Sequence, residues 1–130
     1  MPIRYTDEAA NVEQLYELYE DLGWNEYLKL SPEVLHRAIM QSGITMNAYN
    51  GDQLVGTGRV ITDGYINAYL CGVGVQPDYQ RQGIGSELIN RLVQKCKETN
   101  LHVQLFCSED NMPFYHKFDF KEFAIGMKLS

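Results

Sequence analysis

The chain has 130 residues, 45% of them hydrophobic and 22% charged, with a formal net charge of −6. That size fits one domain, residues 1–130, able to bury a core without metals or disulfides. The acidic balance argues against a nucleic-acid partner, which is held by neutralising phosphates with basic residues, and would suit a cationic one.

In chain order, Ile3 to Tyr5 reads as a short edge strand. Val12, Leu15, Leu18, Tyr19 and Leu22 then recur at helical spacing, and Gly23 ends that helix. The segment Trp24 to Lys29 reads as a connection rich in large side chains. A second helix follows, with Ser31 as cap, Pro32 at its first position, Glu33 complementing the dipole and Gly43 as the stop. Its inward face is expected to be Val34, Leu35, Ala38 and Ile39.

From Ile44 the period becomes two. Strands at 44–49, 54–61 and 65–75 are joined by Asn50-Gly51 and Asp63-Gly64 turns, which makes an antiparallel meander. Gly56 and Gly58 predict a close backbone approach or a bulge. Ile84, Leu88, Ile89, Leu92, Val93 and Cys96 form the stripe of a long helix, and Val103, Leu105 and Cys107 alternate with His102, Gln104 and Phe106 as the next strand. Strand, helix and strand make a parallel crossover. Asn111 is positioned to cap a short helix through Tyr115, His116 and Phe118, and Phe120 to Leu129 is expected to close the sheet. The whole reads as a single α/β domain with a mixed, twisted sheet and helices on both faces.

The stretch with most chemical content joins the third meander strand to the long helix. Val75 and Pro77 end the strand, a polar turn carries Gln80, Arg81 and Gln82, and Gly83, Ile84, Gly85 and Ser86 open the helix. A helix start leaves backbone N–H groups unpaired and carries the positive end of the dipole, so it binds phosphate. Glycine there lets an anion approach the main chain closely. A nucleoside-triphosphate loop would need Lys and then Ser or Thr after its last glycine, and here Ser86 and Glu87 follow Gly85. Gly72-Val73-Gly74 lies inside a strand, so it is no dinucleotide-binding turn.

With Val75, Pro77, Gln80, Gly83 and Gly85 in register, and with Phe114, Tyr115, Lys117 and Phe120 near the C-terminus, the C-terminal half resembles the GCN5-related N-acetyltransferase (GNAT) family. The resemblance implies the GNAT acyltransferase fold, with acetyl-CoA wedged between the strand ending at Val75 and the strand ending near Cys107. It implies acetyl transfer to a primary amine of a small molecule or peptide, by direct attack through a tetrahedral intermediate. It assigns the diphosphate to the main chain from Arg81 to Ser86 with Gln80 assisting, the acetyl oxygen to the Val73 main chain, the pantetheine arm to Val75 and Asn111, and the departing thiolate's acid to Tyr115. Two positions depart from the family pattern: Met112 stands where a small residue is usual, and Asp119 where glycine is usual.

Several assignments stay open at this level. A base for the acceptor ammonium is sought among Glu20, Asp21, Tyr69 and His102, or a water chain, and His116 is expected to face away. In the resembling family the region around Trp24 and Tyr27 covers the acceptor, so Glu20, Asp21, Trp24, Tyr27 and Tyr69 are candidate acceptor contacts. Cys71 lies near the acyl site with no basic residue evident to activate it, which favours direct attack over an acyl-cysteine. A glycine pair at Gly72 and Gly74 predicts a bulge, or close packing against a helix. The alternative functions are an acetyl-CoA sensor without catalysis and an interaction module pairing strand 122–129 across a homodimer.

Cys71, Cys96 and Cys107 are odd in number and widely spaced, against both a disulfide framework and a metal site. Met1 to Ala10 lacks the basic and apolar regions of a signal peptide, and no stretch approaches the roughly 20 apolar residues of a membrane span. A cytoplasmic protein with no membrane partner is expected.

Overall fold

The computed structural model describes residues 2–130. Strand β1 (Arg4–Thr6) leads into α1 (Val12–Asp21), α2 (Trp24–Leu28) and α3 (Pro32–Met40). Then come β2 (Gly43–Asn50), β3 (Gln53–Thr62), β4 (Asn67–Val75), α4 (Ile84–Glu98), β5 (His102–Gln104) and α5 (Met112–His116). The sheet order is β1-β2-β3-β4-β5, antiparallel except for the parallel β4–β5 pair. No helix among the described residues is long and apolar enough to cross a membrane.

Local chemistry accounts for most of the elements. Asn11 caps α1 by accepting from the Gln14 N–H at 3.0 Å, and Ser31 caps α3 by accepting from the Val34 N–H at 3.2 Å. Gly23 follows α1 with φ 77°, a left-handed conformation that glycine enters without strain. The segment from Trp24 is itself helical, which corrects its reading as a plain connection. Asn25 is responsible: almost fully buried, it donates Nδ2 to the Leu30 carbonyl and accepts from the Leu30 N–H, both at 3.0 Å. On α3 only Leu35 and Ile39 are buried, while Val34 and Ala38 are exposed. His36 supplies the other inward contact, its Nε2 lying 2.9 Å from the Ala10 carbonyl.

Two apolar cores form, one on each face of the sheet. The stripe Ile84, Leu88, Ile89, Leu92 and Cys96 of α4 packs on Met46, Ala48, Val55, Val60 and Leu70, and Leu15, Leu18, Leu35 and Ile39 form the other core. Covered on both sides, residues 46–49 of β2 are buried without the expected alternation. A Cβ on Gly58 would lie 2.9 Å from Leu92 Cδ1, so the lack of a side chain there sets how closely α4 approaches.

Two expectations at the end of the chain fail. The β5 ladder covers only His102–Gln104, and Phe120 to Leu129 forms no strand. Phe123, Ile125, Met127 and Leu129 alternate as a strand would, yet each is largely exposed. Asn111 precedes α5 but makes no capping bond with its side chain, because its backbone is already helical at φ −94°, ψ −6°.

Candidate functional site

The site begins where β4 stops being regular. Thr57 pairs with Gly74 but Arg59 pairs with Cys71, so Gly72 and Val73 together oppose Gly58. This is the expected bulge, and Gly72 holds it with φ 63°. Gly74 is needed for space: a Cβ would lie 2.6 Å from both Leu22 Cδ1 and Trp24 Cη2. Close packing and a bulge therefore coexist in one glycine pair.

Past the bulge, β4 and β5 part. Their pairing ends at Tyr69 and Gln104, leaving the later residues of β4 with an open edge. The Gln76 N–H donates to the Val55 carbonyl at 2.8 Å on the β3 side. By strand alternation, the N–H and carbonyl of Val75 then point to the open edge. There the carbonyl accepts from Gln80 Nε2 at 3.0 Å, so Gln80 ties the turn to the strand end rather than reaching outward.

The turn then delivers a bare helix start. Arg81 (φ 65°) and Gly83 (φ 85°) are both left-handed, and α4 has no side-chain cap. Arg81, Gln82 and Gly83 are exposed, and a Cβ on Gly83 would meet no atom within 4 Å, so the space above the first turn is clear. A Cβ on Gly85 would come no nearer than 3.8 Å, to Val75 Cγ2. Unpaired N–H groups at the start of a 15-residue helix, with open space above them, suit a diphosphate.

Between the parted strands lies a cavity of about 320 Å³, floored by β4 from Tyr69 to Val73 and walled by Trp24, Phe106 and Tyr115. It joins a larger groove of about 980 Å³ between the Val103–Cys107 segment and residues 120–128, to which Tyr69, Phe106 and Tyr115 also contribute. Trp24 is held edge-on to Tyr19 at 5.1 Å between ring centres, and Tyr69 lies 5.3 Å from Phe106. Tyr115 is half-buried and packs edge-on to Phe114 and Phe120. Burial pushes its phenol above the usual value, and Cys107 adds to the rise. Asp119, in the usual glycine position, has φ 69°, which explains why glycine suits that place.

The structure thus gathers Trp24, Tyr69, Val73 and Tyr115 at one cavity, and Val75, Gln80 and Gly83 follow at the end of β4 and in the turn that opens α4. Other candidates stand apart. Tyr27 is 85% exposed and lines neither space, and Glu20 and His102 also lie outside both. Asp21 accepts from Gln76 Nε2 at 3.0 Å, joining the end of α1 to the end of β4. Asn111 is exposed and does not line the cavity. His116 faces the C-terminal segment, its Nε2 lying 3.3 Å from Glu122 Oε1, and lines the larger groove instead of facing away.

Two residues escaped the sequence reading. Phe106 was legible only as the outward member of an alternating strand. Arg59 lies directly across from Cys71, so the thiol does have a cation beside it. Burial still dominates and raises the thiol's pKa, with Arg59 opposing the rise.

This geometry has relatives. The acetyltransferase (GNAT) family model matches residues 10–120, and the chain belongs to that family. An uncharacterized N-acetyltransferase, ycf52, of Porphyra purpurea is 28% identical over 121 residues, covering 91% of this chain and 69% of that protein. A GNAT family acetyltransferase structure from Streptococcus pneumoniae is 30% identical with a TM-score of 0.82, covering 99% of this chain and 98% of that one. A predicted acetyltransferase from Clostridium acetobutylicum, solved with acetyl-CoA, shares the fold at a TM-score of 0.71 and 17% identity, covering 99% and 96%.

Proposed function

We propose that residues 1–130 form one acetyltransferase domain that passes the acetyl group of acetyl-CoA directly to a primary amine. The observation that carries this reading is the continuity of three features. The uncapped α4 start, the open edge at Val75 and the bulge at Gly72 succeed one another along β4 and the turn after it, and the bulge lines an aromatic cavity. When bound, acetyl-CoA supplies an activated thioester.

The chain's own residues do the rest. The N–H groups from Gly83 to Ser86 hold the diphosphate, with Arg81 and Gln82 at the rim, and Gln80 keeps the turn in place. The Val75 N–H pairs with the pantetheine arm as a neighbouring strand would. At the bulge, the main chain of Val73 donates to the thioester oxygen as charge develops, and needs no reorganisation to do so. Tyr115 protonates the departing sulfur, and its raised pKa keeps the phenol protonated for that step. The acceptor lies between Trp24 and Tyr69. Cys71 has no covalent part, because burial holds its thiol protonated. A reducing, cytoplasmic setting is part of the same reading, supported by three cysteines that stand as free thiols.

The test is thiol release from acetyl-CoA over a panel of amines, with Tyr115→Phe and Cys71→Ala beside the wild type and cofactor binding measured for each. Turnover that drops in Tyr115→Phe, persists in Cys71→Ala and leaves binding intact supports the reading. Loss of turnover in Cys71→Ala with binding intact overturns direct attack.

A further inference from the structure

From Lys121 to Ser130 the main chain makes no hydrogen bond within the described residues. Along the same stretch Phe123, Ile125, Met127 and Leu129 recur at every second position and are 74%, 89%, 91% and 100% exposed. Single exposed apolar residues are ordinary, but four of them at strand spacing make a continuous patch. The chain's own sheet does not cover it. β5 is the last strand, it pairs only with β4, and a groove of about 980 Å³ separates the Val103–Cys107 segment from residues 120–128.

What the segment does match is itself. Set residues 121–129 antiparallel to the same residues of a second copy, with Ile125 on the axis, and Phe123 faces the partner's Met127 while Glu122 faces the partner's Lys128. By symmetry each pair occurs twice. All the large apolar residues then share one face, and the two charge pairs share the other. A register one residue shorter would oppose Lys121 to the partner's Lys128, and one residue longer would oppose Phe123 to it. Parallel pairing in register would set like charge against like.

Both charges are available for this. Lys128 forms no ion pair among the described residues, and Glu122 is 65% exposed and meets His116 through one carboxylate oxygen at 3.3 Å. An unpaired backbone beside an apolar stripe is a template for another strand, and a twofold contact satisfies both copies with the same bonds.

We propose that residues 121–129 of two copies pair antiparallel about Ile125 and join the chain into a twofold homodimer. The inference goes beyond acetyl transfer and does not depend on it. It does bear on the site, since the groove walled by this segment also takes in Tyr69, Phe106 and Tyr115 of the acceptor cavity, and pairing holds that wall in place.

Sedimentation equilibrium at micromolar concentrations should give twice the mass of one chain, and a single-chain mass throughout overturns the proposal. Ile125→Asp sets two carboxylates against each other on the axis and should weaken the dimer about 100-fold or more. Ile125 lies outside both cores, so a thermal melt should show the fold intact. A folded Ile125→Asp protein that stays dimeric means that another surface is used, and overturns the proposal. Glu122→Lys and Lys128→Glu should each weaken the dimer about tenfold, and the two together should restore it. Absence of that rescue overturns the pairing.

Cross-linking checks the register directly, in a Cys107→Ser background because Cys107 is exposed. Opposed Cβ atoms stand about 5 Å apart, within reach of a disulfide. Ile125→Cys should therefore give a covalent dimer under mild copper-phenanthroline oxidation. Phe123→Cys should not, because its counterpart lies four residues away across the axis, roughly 13 Å. Equal cross-linking of the two, or none with Ile125→Cys, overturns the proposal.

Discussion

Gln80 Nε2 donates to the Val75 carbonyl at 3.0 Å, joining the last residue of β4 to the turn that opens α4. One side chain therefore sets the distance between an open strand edge and a bare helix start. Gln80→Ala removes a bond of about 1 kcal/mol and leaves the turn less ordered. The expected result is a rise of about fivefold in KM for acetyl-CoA with kcat nearly unchanged, measured by steady-state thiol release.

Trp24 is the chain's one tryptophan, so intrinsic fluorescence reports on a single wall of the cavity. Its place depends on the paired bonds between Asn25 and Leu30. Asn25→Ala leaves the half-buried N–H and carbonyl of Leu30 without their partner, at a cost of about 1 kcal/mol or more. Urea unfolding should show that loss, and the emission of the folded protein should move to longer wavelength as Trp24 is released.

With Tyr115 as the proposed acid, the pH dependence of kcat is expected to follow its phenol. Burial and Cys107 both raise its phenol, so the neutral, proton-donating form is favoured in the folded protein. The acid form is therefore retained as pH rises, and its loss comes above the ordinary phenol value of about 10. A kcat profile flat from neutral pH up to about 10 is expected for the wild type. Tyr115→Phe should reduce kcat about 100-fold, within the usual range for losing a general acid.

Much of the architecture is legible in the sequence because its signals are local. Ser31 caps α3 with its side chain, Gly23 and Gly64 take the left-handed turns, and α4 buries most of the stripe its period predicts. The C-terminal segment shows the limit of such signals. Phe123 to Leu129 alternate correctly, but a strand also needs an edge to pair with, and the β5 ladder ends at Gln104. Arg59 was hidden for a related reason. It meets Cys71 only because an extra residue at Gly72 shifts the β3–β4 register by one, and register across a sheet is non-local. The acceptor candidates divide in the same way: Trp24 and Tyr69 reach the cavity, whereas Tyr27, in the same short helix as Trp24, points to solvent.

The central claim is that the start of α4 cradles the cofactor diphosphate, and Gly83→Asp tests it most directly. Aspartate enters left-handed backbone more readily than most residues, and no atom lies within 4 Å of the new Cβ, so the fold should persist in a thermal melt. Its carboxylate would stand in the anion's place and repel it. Calorimetric titration with coenzyme A should show binding to the wild type and a loss of at least about 100-fold in Gly83→Asp, as expected when like charges meet at a close phosphate contact. Unchanged affinity in a folded Gly83→Asp protein would contradict the account.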